Sequence, residues 1–192
     1  MDKGRLEAFS DGVIAVIITI MVLELKAPHG VGFGSLGPVL PTFLVYVISF
    51  VNIGIYWNNH HHMFQAVKRI NGRAMWANLH LLFWLSLIPF VTSWVGENHL
   101  AAIPTALYGV VLLMAAVAFT TLQVALVAIG DNASLAMAVG HDFKGKVSLT
   151  MYGLAILLAF VNQWVSDALI VLVALIWFIP DTRIEKRTAE SN

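Results

Sequence analysis

The chain has 192 residues, of which 59% are hydrophobic and only 11% are charged, and its mean hydropathy is +0.81. So few polar side chains cannot cover a water-soluble globule, and this composition predicts an integral membrane protein. The formal net charge is zero and cysteine is absent, which gives no basis for a nucleic-acid partner and excludes disulfides, thiolate metal sites and cysteine nucleophiles.

Long apolar runs recur six times along the chain and predict an all-α fold of six transmembrane helices. The runs fall at 6–25, 38–60, 74–95, 101–130, 147–164 and 165–180. The second, third and fourth meet the ~20 residues needed to cross the hydrocarbon core. The last two are separated by the polar stretch NQWVSD (162–167), which we interpret as a tight interfacial turn. We therefore expect one membrane domain over 1–180 and a short cytoplasmic tail over 181–192.

Basic residues divide unequally between the two sides that six spans create. With the N-terminus inside, ten lie on the cytoplasmic side and Lys26 alone lies outside. The ten are Lys3, Arg5, Lys68, Arg69, Arg73, Lys144, Lys146, Arg183, Lys186 and Arg187. The positive-inside rule therefore predicts that both termini are cytoplasmic. Because the N-terminus lacks a cleavable signal pattern, we expect the first helix to remain as a membrane anchor.

The first span opens with the segment RLEAFSDG (5–12), which places polar and charged side chains beside an apolar run. The apolar part, Gly12–Leu23, is only twelve residues long, about 18 Å of helix, which is well short of the hydrocarbon core. We therefore expect the helix to begin near Leu6 and to carry Ser10 and Asp11 inward, where an ionised carboxylate needs a partner. The alternative is that one of these two residues merely caps a helix that begins after it.

One face of the first span is predominantly apolar. Its members recur at three- and four-residue spacing, which places them in a stripe along an α-helix. They are Gly12, Val16, Thr19, Ile20, Leu23 and, at the outer end, Ala27. Every membrane helix has apolar stripes, and such a stripe alone more often serves packing or lipid contact.

Three consecutive histidines, His60, His61 and His62, follow the second apolar run. Successive side chains on a helix diverge by about 100°, so these three do not converge on one metal ion, and a metal site would need His80 or symmetry mates as well. We therefore predict no metal site. His60 is instead expected to face inward with Asn52 and Tyr56 and to join Arg5 and Asp11 of the first span in one network.

Three segments resemble a known family. The first is Arg5, Phe9, Ser10 and Asp11, an R-x-x-x-F-S-D signature followed by an apolar helix that contains Thr19. The second is YWNNHHHMF (56–64), through Trp57, His60 and Phe64, and the third is NLHLLFWLSLIPF (78–90), through Asn78 and Pro89. These segments resemble the transmembrane protein 175 family of lysosomal and prokaryotic potassium channels, in its prokaryotic single-repeat form.

The resemblance implies a homotetramer of six-helix subunits whose first helices line a central pore. Potassium passes without a T-V-G-Y-G filter, and this chain contains no such string. By distance from Asp11, the family's constriction corresponds to Val16, Thr19 and Leu23, and Ile20 lies on the same stripe. The family usually carries Ile or Leu at the first constriction, so Val16 implies a wider ring.

The resemblance also assigns structural roles outside the pore. The residues implied to hold the pore helix are Arg5, Phe9, Ser10, Asp11, His60 and Asn78. The partners implied are three further copies of the chain, membrane lipid and permeant potassium ions, with no other cofactor. The location implied is a prokaryotic plasma membrane.

Two other function classes are weighed on the residues. A proton-coupled permease would use Asp11 as its protonatable site, but such sites lie near the midplane among broken helices. A membrane enzyme would need convergent nucleophile, base or metal ligands, and no spacing here supplies them. The sequence therefore favours a passive channel.

Overall fold

A computed structural model describes residues 2–98, 101–130, 135 and 143–178, and within these the secondary structure is helical. The elements are α1 (Lys3–Leu23), a 3₁₀ segment (Phe33–Val39), α2 (Leu40–Ala66), α3 (Gly72–Ser86), α4 (Ile88–Glu97), α5 (Ala102–Val127), α6 (Phe143–Leu158) and α7 (Gln163–Phe178). Because α3 and α4 form one bent span, these helices correspond to the six predicted apolar runs. The predicted tail, 181–192, and the last two residues of the sixth run lie outside the described residues.

Within the described part of the chain, four spans are long and apolar enough to cross a membrane: Lys3–Leu23, Phe33–Ala66, Gly72–Glu97 and Ala102–Val127. The helices α6 and α7 have 16 residues each, about 24 Å of helix. Their described parts are therefore shorter than the ~20 residues of a typical crossing.

The first helix begins even earlier than the sequence predicted. It starts at Lys3, and the Asp2 carboxylate accepts a hydrogen bond from the Gly4 backbone N–H at 3.3 Å. Ser10 and Asp11 are thus the eighth and ninth residues of a continuous 21-residue helix, and the alternative in which they cap a later helix is wrong. Ala27, predicted at the outer end of the apolar stripe, lies beyond the helix end at Leu23.

The predicted turn between the last two helices lies several residues too late in the chain. The helix α6 ends at Leu158 and α7 begins at Gln163. The Asn162 side chain accepts a hydrogen bond from the Trp164 backbone N–H at 3.0 Å, so it caps α7. Most of the polar stretch 162–167 therefore enters the first turns of a helix, and one oxygen of Asp167 is buried.

The third span bends where the sequence places Pro89. Leu87 separates α3 from α4, and Pro89 is the second residue of α4, where its missing N–H costs no helical hydrogen bond. The span can therefore change direction at this point without an internal proline breaking either helix.

Tight packing of α4 against α2 and α5 holds the bent span in place. The Ser49 hydroxyl lies 2.7 Å from the Thr92 hydroxyl and 2.8 Å from the Tyr108 hydroxyl. A methyl group built at Gly96 would lie 2.7 Å from the Cα of Thr42, so only glycine allows this approach. Polar and steric contacts together fix α4 on α2.

The helix α1 packs mainly against α2, α3 and α4. Its buried face consists of Leu6, Ser10, Ile14, Ile17 and Met21. The helices α5, α6 and α7 complete the bundle on the other side of α2 and α3. One helix therefore lies at the edge of the subunit with a single face buried.

The two ends of the bundle differ in charge. We call the end where α2 stops and α3 starts the basic end, because it carries Lys68, Arg69 and Arg73. At the opposite end Lys26 forms an exposed ion pair with Glu97, which joins the segment after α1 to the end of α4. This carboxylate raises the pKa of Lys26.

Candidate pore helix and its anchoring network

A chain of buried hydrogen bonds fastens α1 to α2 and α3. The Ser10 hydroxyl donates to the Leu6 carbonyl at 2.9 Å and accepts from the Asn78 side-chain amide at 2.9 Å. The Asn78 carbonyl oxygen lies 2.8 Å from Nε2 of His60. Ser10, His60 and Asn78 are fully buried, and we call these three residues the anchor cluster. Buried polar groups of this kind hold neighbouring helices in one register.

The bond to Asn78 fixes the tautomer of His60. With the amide nitrogen of Asn78 directed at Ser10, its carbonyl oxygen can only accept, so Nε2 of His60 carries the hydrogen. The other ring nitrogen, Nδ1, is buried without a partner among the described residues. The ring stacks on Phe64 with a centroid distance of 4.5 Å. His60 is therefore a packed internal residue.

Asp11 finds its partner on α2. The indole N–H of Trp57 donates to the Asp11 carboxylate at 3.0 Å. One turn away, Nδ1 of His61 lies 3.2 Å from the Glu7 carboxylate, and the His61 ring stacks on Trp57 with a centroid distance of 6.1 Å. Both acidic residues on this part of α1 thus meet donors from α2.

Two predicted members of the network lie outside it in the single subunit. Arg5 is exposed and forms no ion pair with Asp11 within the part of the chain that the structure describes. Phe9 is 50% exposed. The sequence therefore predicts a network of six residues. In the structure Ser10, His60 and Asn78 are hydrogen-bonded to one another in a chain, and Asp11 forms a separate hydrogen bond with Trp57.

Sequence reasoning missed Trp57 as the partner of Asp11. It used that tryptophan as part of the motif in segment 56–64. The signal that could have shown it is a matched spacing. Trp57 and His61 are four residues apart on one face of α2, and the acidic residues Glu7 and Asp11 are four residues apart on one face of α1.

The face of α1 opposite the anchor cluster is uncovered. Val16 is 54% exposed and Ile20 43%, while Leu23 reaches 77%. Gly12 and Thr19 are exposed on the same side, and we call these five residues the free face. The Thr19 hydroxyl donates to the carbonyl oxygens of Ala15 and Val16, each at 3.0 Å. It is thus both exposed and bonded to its own helix.

An open apolar groove of about 970 Å³ runs beside the free face. Gly12, Val16 and Ile20 form one wall, and Phe90 and Trp94 of α4 lie on the other. Phe90 is 59% exposed, which is expensive in water but ordinary against lipid or another protein surface. The groove therefore widens the apolar surface that α1 offers to a neighbour.

Metal ligation has little support in this geometry. Within the described residues no group of three His, Asp or Glu side chains is placed to hold a metal ion. His60 faces Asn78 and His61 faces Glu7, so the side chains diverge as helical geometry requires.

Comparison with known proteins supplies the family. A model of the family described as "Endosomal/lysosomal potassium channel TMEM175" matches residues 5–89. A potassium channel of Chryseobacterium sp. (strain P1-3) is 54% identical over the full length of both chains. The endosomal/lysosomal proton channel TMEM175 of Homo sapiens is 33% identical over 87 residues, which are 39% of this chain and 17% of that protein.

The fold is shared with a solved structure as well. The crystal structure of a lysosomal potassium-selective channel TMEM175 homolog from Chamaesiphon minutus superposes with a TM-score of 0.77 at 28% identity. The match covers 92% of this chain and 96% of that one. Structure and relatives together define a multi-pass helical membrane protein of the ion-channel class, and not an enzyme. The chain belongs to the TMEM175 family of potassium channels, which confirms the resemblance that its motifs predicted.

Proposed function

We propose that this chain is the subunit of a homotetrameric, potassium-preferring cation channel whose four α1 helices surround a central pore. Conduction is passive and requires no cofactor other than the permeant potassium ions. The relatives named as potassium channels support the ion, and full-length identity of 54% with one of them supports carrying that name over.

The observation that carries the proposal is the two-sided character of α1. One side is fastened to the subunit by the anchor cluster, and on the opposite side Val16, Ile20 and Leu23 are exposed among the described residues. A helix held rigidly on one side and left apolar on the other suits a pore wall.

Four copies of the free face would form successive rings. Val16, Ile20 and Leu23 would provide apolar collars, which exclude ions when narrow because water leaves them and admit ions when they widen. Thr19 would add a ring of hydroxyl oxygens between Val16 and Leu23. In the proposed pore these rings replace the backbone-carbonyl filter of ordinary potassium channels.

Orientation follows from charge. The proposed channel lies in a prokaryotic plasma membrane with the basic end, both termini and the tail in the cytoplasm, as the positive-inside rule favours. Lys26 and Glu97 then lie at the outer mouth. Membrane lipid surrounds the tetramer, and no nucleic acid is a partner.

Reversal potential tests the proposal. Purified protein in planar bilayers between potassium and sodium solutions should give a current whose reversal potential lies toward that of potassium. Val16→Ala and Leu23→Ala widen two collars, so each should raise conductance and reduce the preference for potassium.

Leu172→Ala is the matched control. This leucine is 46% exposed on α7, away from α1, and its truncation should leave both quantities unchanged. A pH gradient across the same bilayer additionally tests for proton current, because the human relative is named a proton channel. Currents that follow the proton gradient, or that ignore the two α1 substitutions, would overturn the potassium pore.

The transporter alternative receives little support from the geometry. Asp11 is bonded to Trp57, α1 is continuous around it, and the bend between α3 and α4 lies toward the opposite end of the bundle. Midplane sites of transporters are instead formed by interrupted helices.

A further inference from the structure

A second groove lies at the basic end, between the start of α3 and the last turns of α5. It is shallow, with a volume of about 830 Å³. Arg73, Trp76 and His80 line it from α3, and Thr121 and Ala125 line it from α5. None of the described residues on its walls is acidic. The groove is remote from the free face of α1 and plays no part in the proposed pore.

The polar groups of this groove are available to bind an anion. Arg73 is exposed and makes no hydrogen bond or ion pair with the described residues. The indole N–H of Trp84 donates to Nε2 of His80 at 2.9 Å, and tryptophan can only donate. In the neutral imidazole the hydrogen therefore lies on Nδ1, which remains a donor. The groove thus offers a guanidinium and an N–H donor.

Most of the remaining surface of the groove is apolar, and one large aromatic side chain lies on it. Trp76 is 75% exposed, which is typical of an indole at the boundary between headgroups and hydrocarbon. Phe83, seven residues further along α3 and 55% exposed, lies on the same face about 10 Å deeper. This distance is most of the ~15 Å thickness of one hydrocarbon leaflet.

The surroundings add positive charge. Lys68 and Arg69 lie in the segment between α2 and α3, so with Arg73 three basic residues fall within six positions at this end of the bundle. Basic pockets between transmembrane helices on the cytoplasmic side favour anionic headgroups. A ligand that combines a phosphate with an acyl chain fits these groups. Its phosphate could contact the Arg73 guanidinium and the His80 N–H, and its acyl chain could contact the exposed aromatic side chains of α3.

We propose that this groove binds an anionic phospholipid, with its phosphate on Arg73 and Nδ1–H of His80 and its acyl chain over Trp76 and Phe83. Arginine suits the phosphate because its planar guanidinium can form two parallel hydrogen bonds. The charge complementarity selects anionic lipids over zwitterionic ones. The proposal does not depend on conduction, and its test measures binding alone.

Native mass spectrometry of the delipidated full-length protein provides the test. The protein is titrated separately with phosphatidylglycerol, phosphatidylcholine and inorganic phosphate. Phosphatidylglycerol should form saturable adducts that phosphatidylcholine does not form. Arg73→Gln should weaken this binding about fivefold, since one basic side chain contributes about that factor to anionic-lipid binding.

Two further variants make the result specific. Arg73→Lys keeps the charge and should restore part of the affinity, whereas Lys26→Gln removes a charge at the opposite end and should change nothing. Thermal unfolding of each variant checks that the fold is intact, as expected for exposed side chains.

Three outcomes would overturn the proposal. Equal binding of the two lipids, or unchanged binding by Arg73→Gln, would remove the anionic site. Inorganic phosphate that binds as tightly as the lipid would assign the groove to a free anion. A shift in subunit number with Trp76→Ala, without any change in lipid adducts, would make this surface a contact between copies of the chain.

Discussion

Asn78 links α1 to both α2 and α3. Its amide donates to Ser10 of α1 and its carbonyl oxygen meets His60 of α2, so one side chain of α3 joins three helices. All three residues are fully buried, and neither Ser10 nor His60 has a second described partner on another helix that could replace it.

Asn78→Ala should therefore destabilise the protein by about 1–3 kcal/mol, because it leaves two buried polar groups without their partner. Thermal unfolding in detergent micelles measures the change. Asn98→Ala is the control: Asn98 is exposed, and among the described residues its side chain bonds only the Trp94 carbonyl one turn earlier, so its loss should cost less than about 0.5 kcal/mol. Equal effects of the two substitutions would contradict an anchoring role.

Substitution of a second single residue, Asp11, tests whether the protein is a channel or a proton-coupled permease. Asp11→Asn keeps an oxygen that can accept from the Trp57 indole but removes the titratable proton. Potassium current in bilayers should therefore persist in this variant, while Asp11→Ala should lower stability because Trp57 loses its acceptor. Loss of transport in the asparagine variant, with its fold and oligomeric state intact, would favour a protonatable site.

At the scale of elements, the short distance between α4 and α2 depends on Gly96, which has no side chain. A Cβ at Gly96 would lie 2.7 Å from the Cα and 2.8 Å from Cγ2 of Thr42, closer than carbon atoms pack. Hydrogen bonds also hold α4 in this position. The Ser49 hydroxyl of α2 bonds Thr92 of α4 and Tyr108 of α5, so a movement of α4 away from α2 would strain these bonds.

Gly96→Ala should accordingly destabilise the bundle by about 1–3 kcal/mol, the usual cost of forcing extra atoms into a packed contact. Gly54 provides the matched comparison in α2, since a Cβ there meets nothing within 4 Å. Gly54→Ala should be neutral or stabilise the helix by up to about 1 kcal/mol. Chemical or thermal unfolding in micelles compares the pair, and the reverse order would show that α4 is free to adjust.

Across the whole molecule, the sequence predicts the number of spans better than their ends. Apolar runs report which segments avoid water, so the six helical spans follow directly. The position of a turn depends on individual caps: Asn162 begins α7 five residues earlier than the end of the polar stretch suggested. The start of α1 at Lys3 was likewise set by Asp2, a single capping residue.

The site was predictable to the extent that polar residues in an apolar chain must find partners. This argument placed His60 with Arg5 and Asp11, whereas the structure joins His60 to Asn78 and Asn78 to Ser10. It does not tell which donor reaches Asp11, because the relative rotation of α1 and α2 is fixed by packing over their whole length and places Trp57 there. Nor can one chain show what would cover Val16 and Leu23 in the proposed tetramer.

The hydrogen bonds of Thr19 bear on the sign of the ion that the proposed pore admits. Its only proton is shared between the carbonyl oxygens of Ala15 and Val16. The hydroxyl therefore turns lone pairs, and no hydrogen, toward the space beside the helix. Four such oxygens would attract a cation losing part of its water shell and offer an anion nothing to bind. The proposed pore would then discriminate against chloride because the Thr19 proton is already bonded to the helix backbone, and no charged residue in the pore wall would be needed.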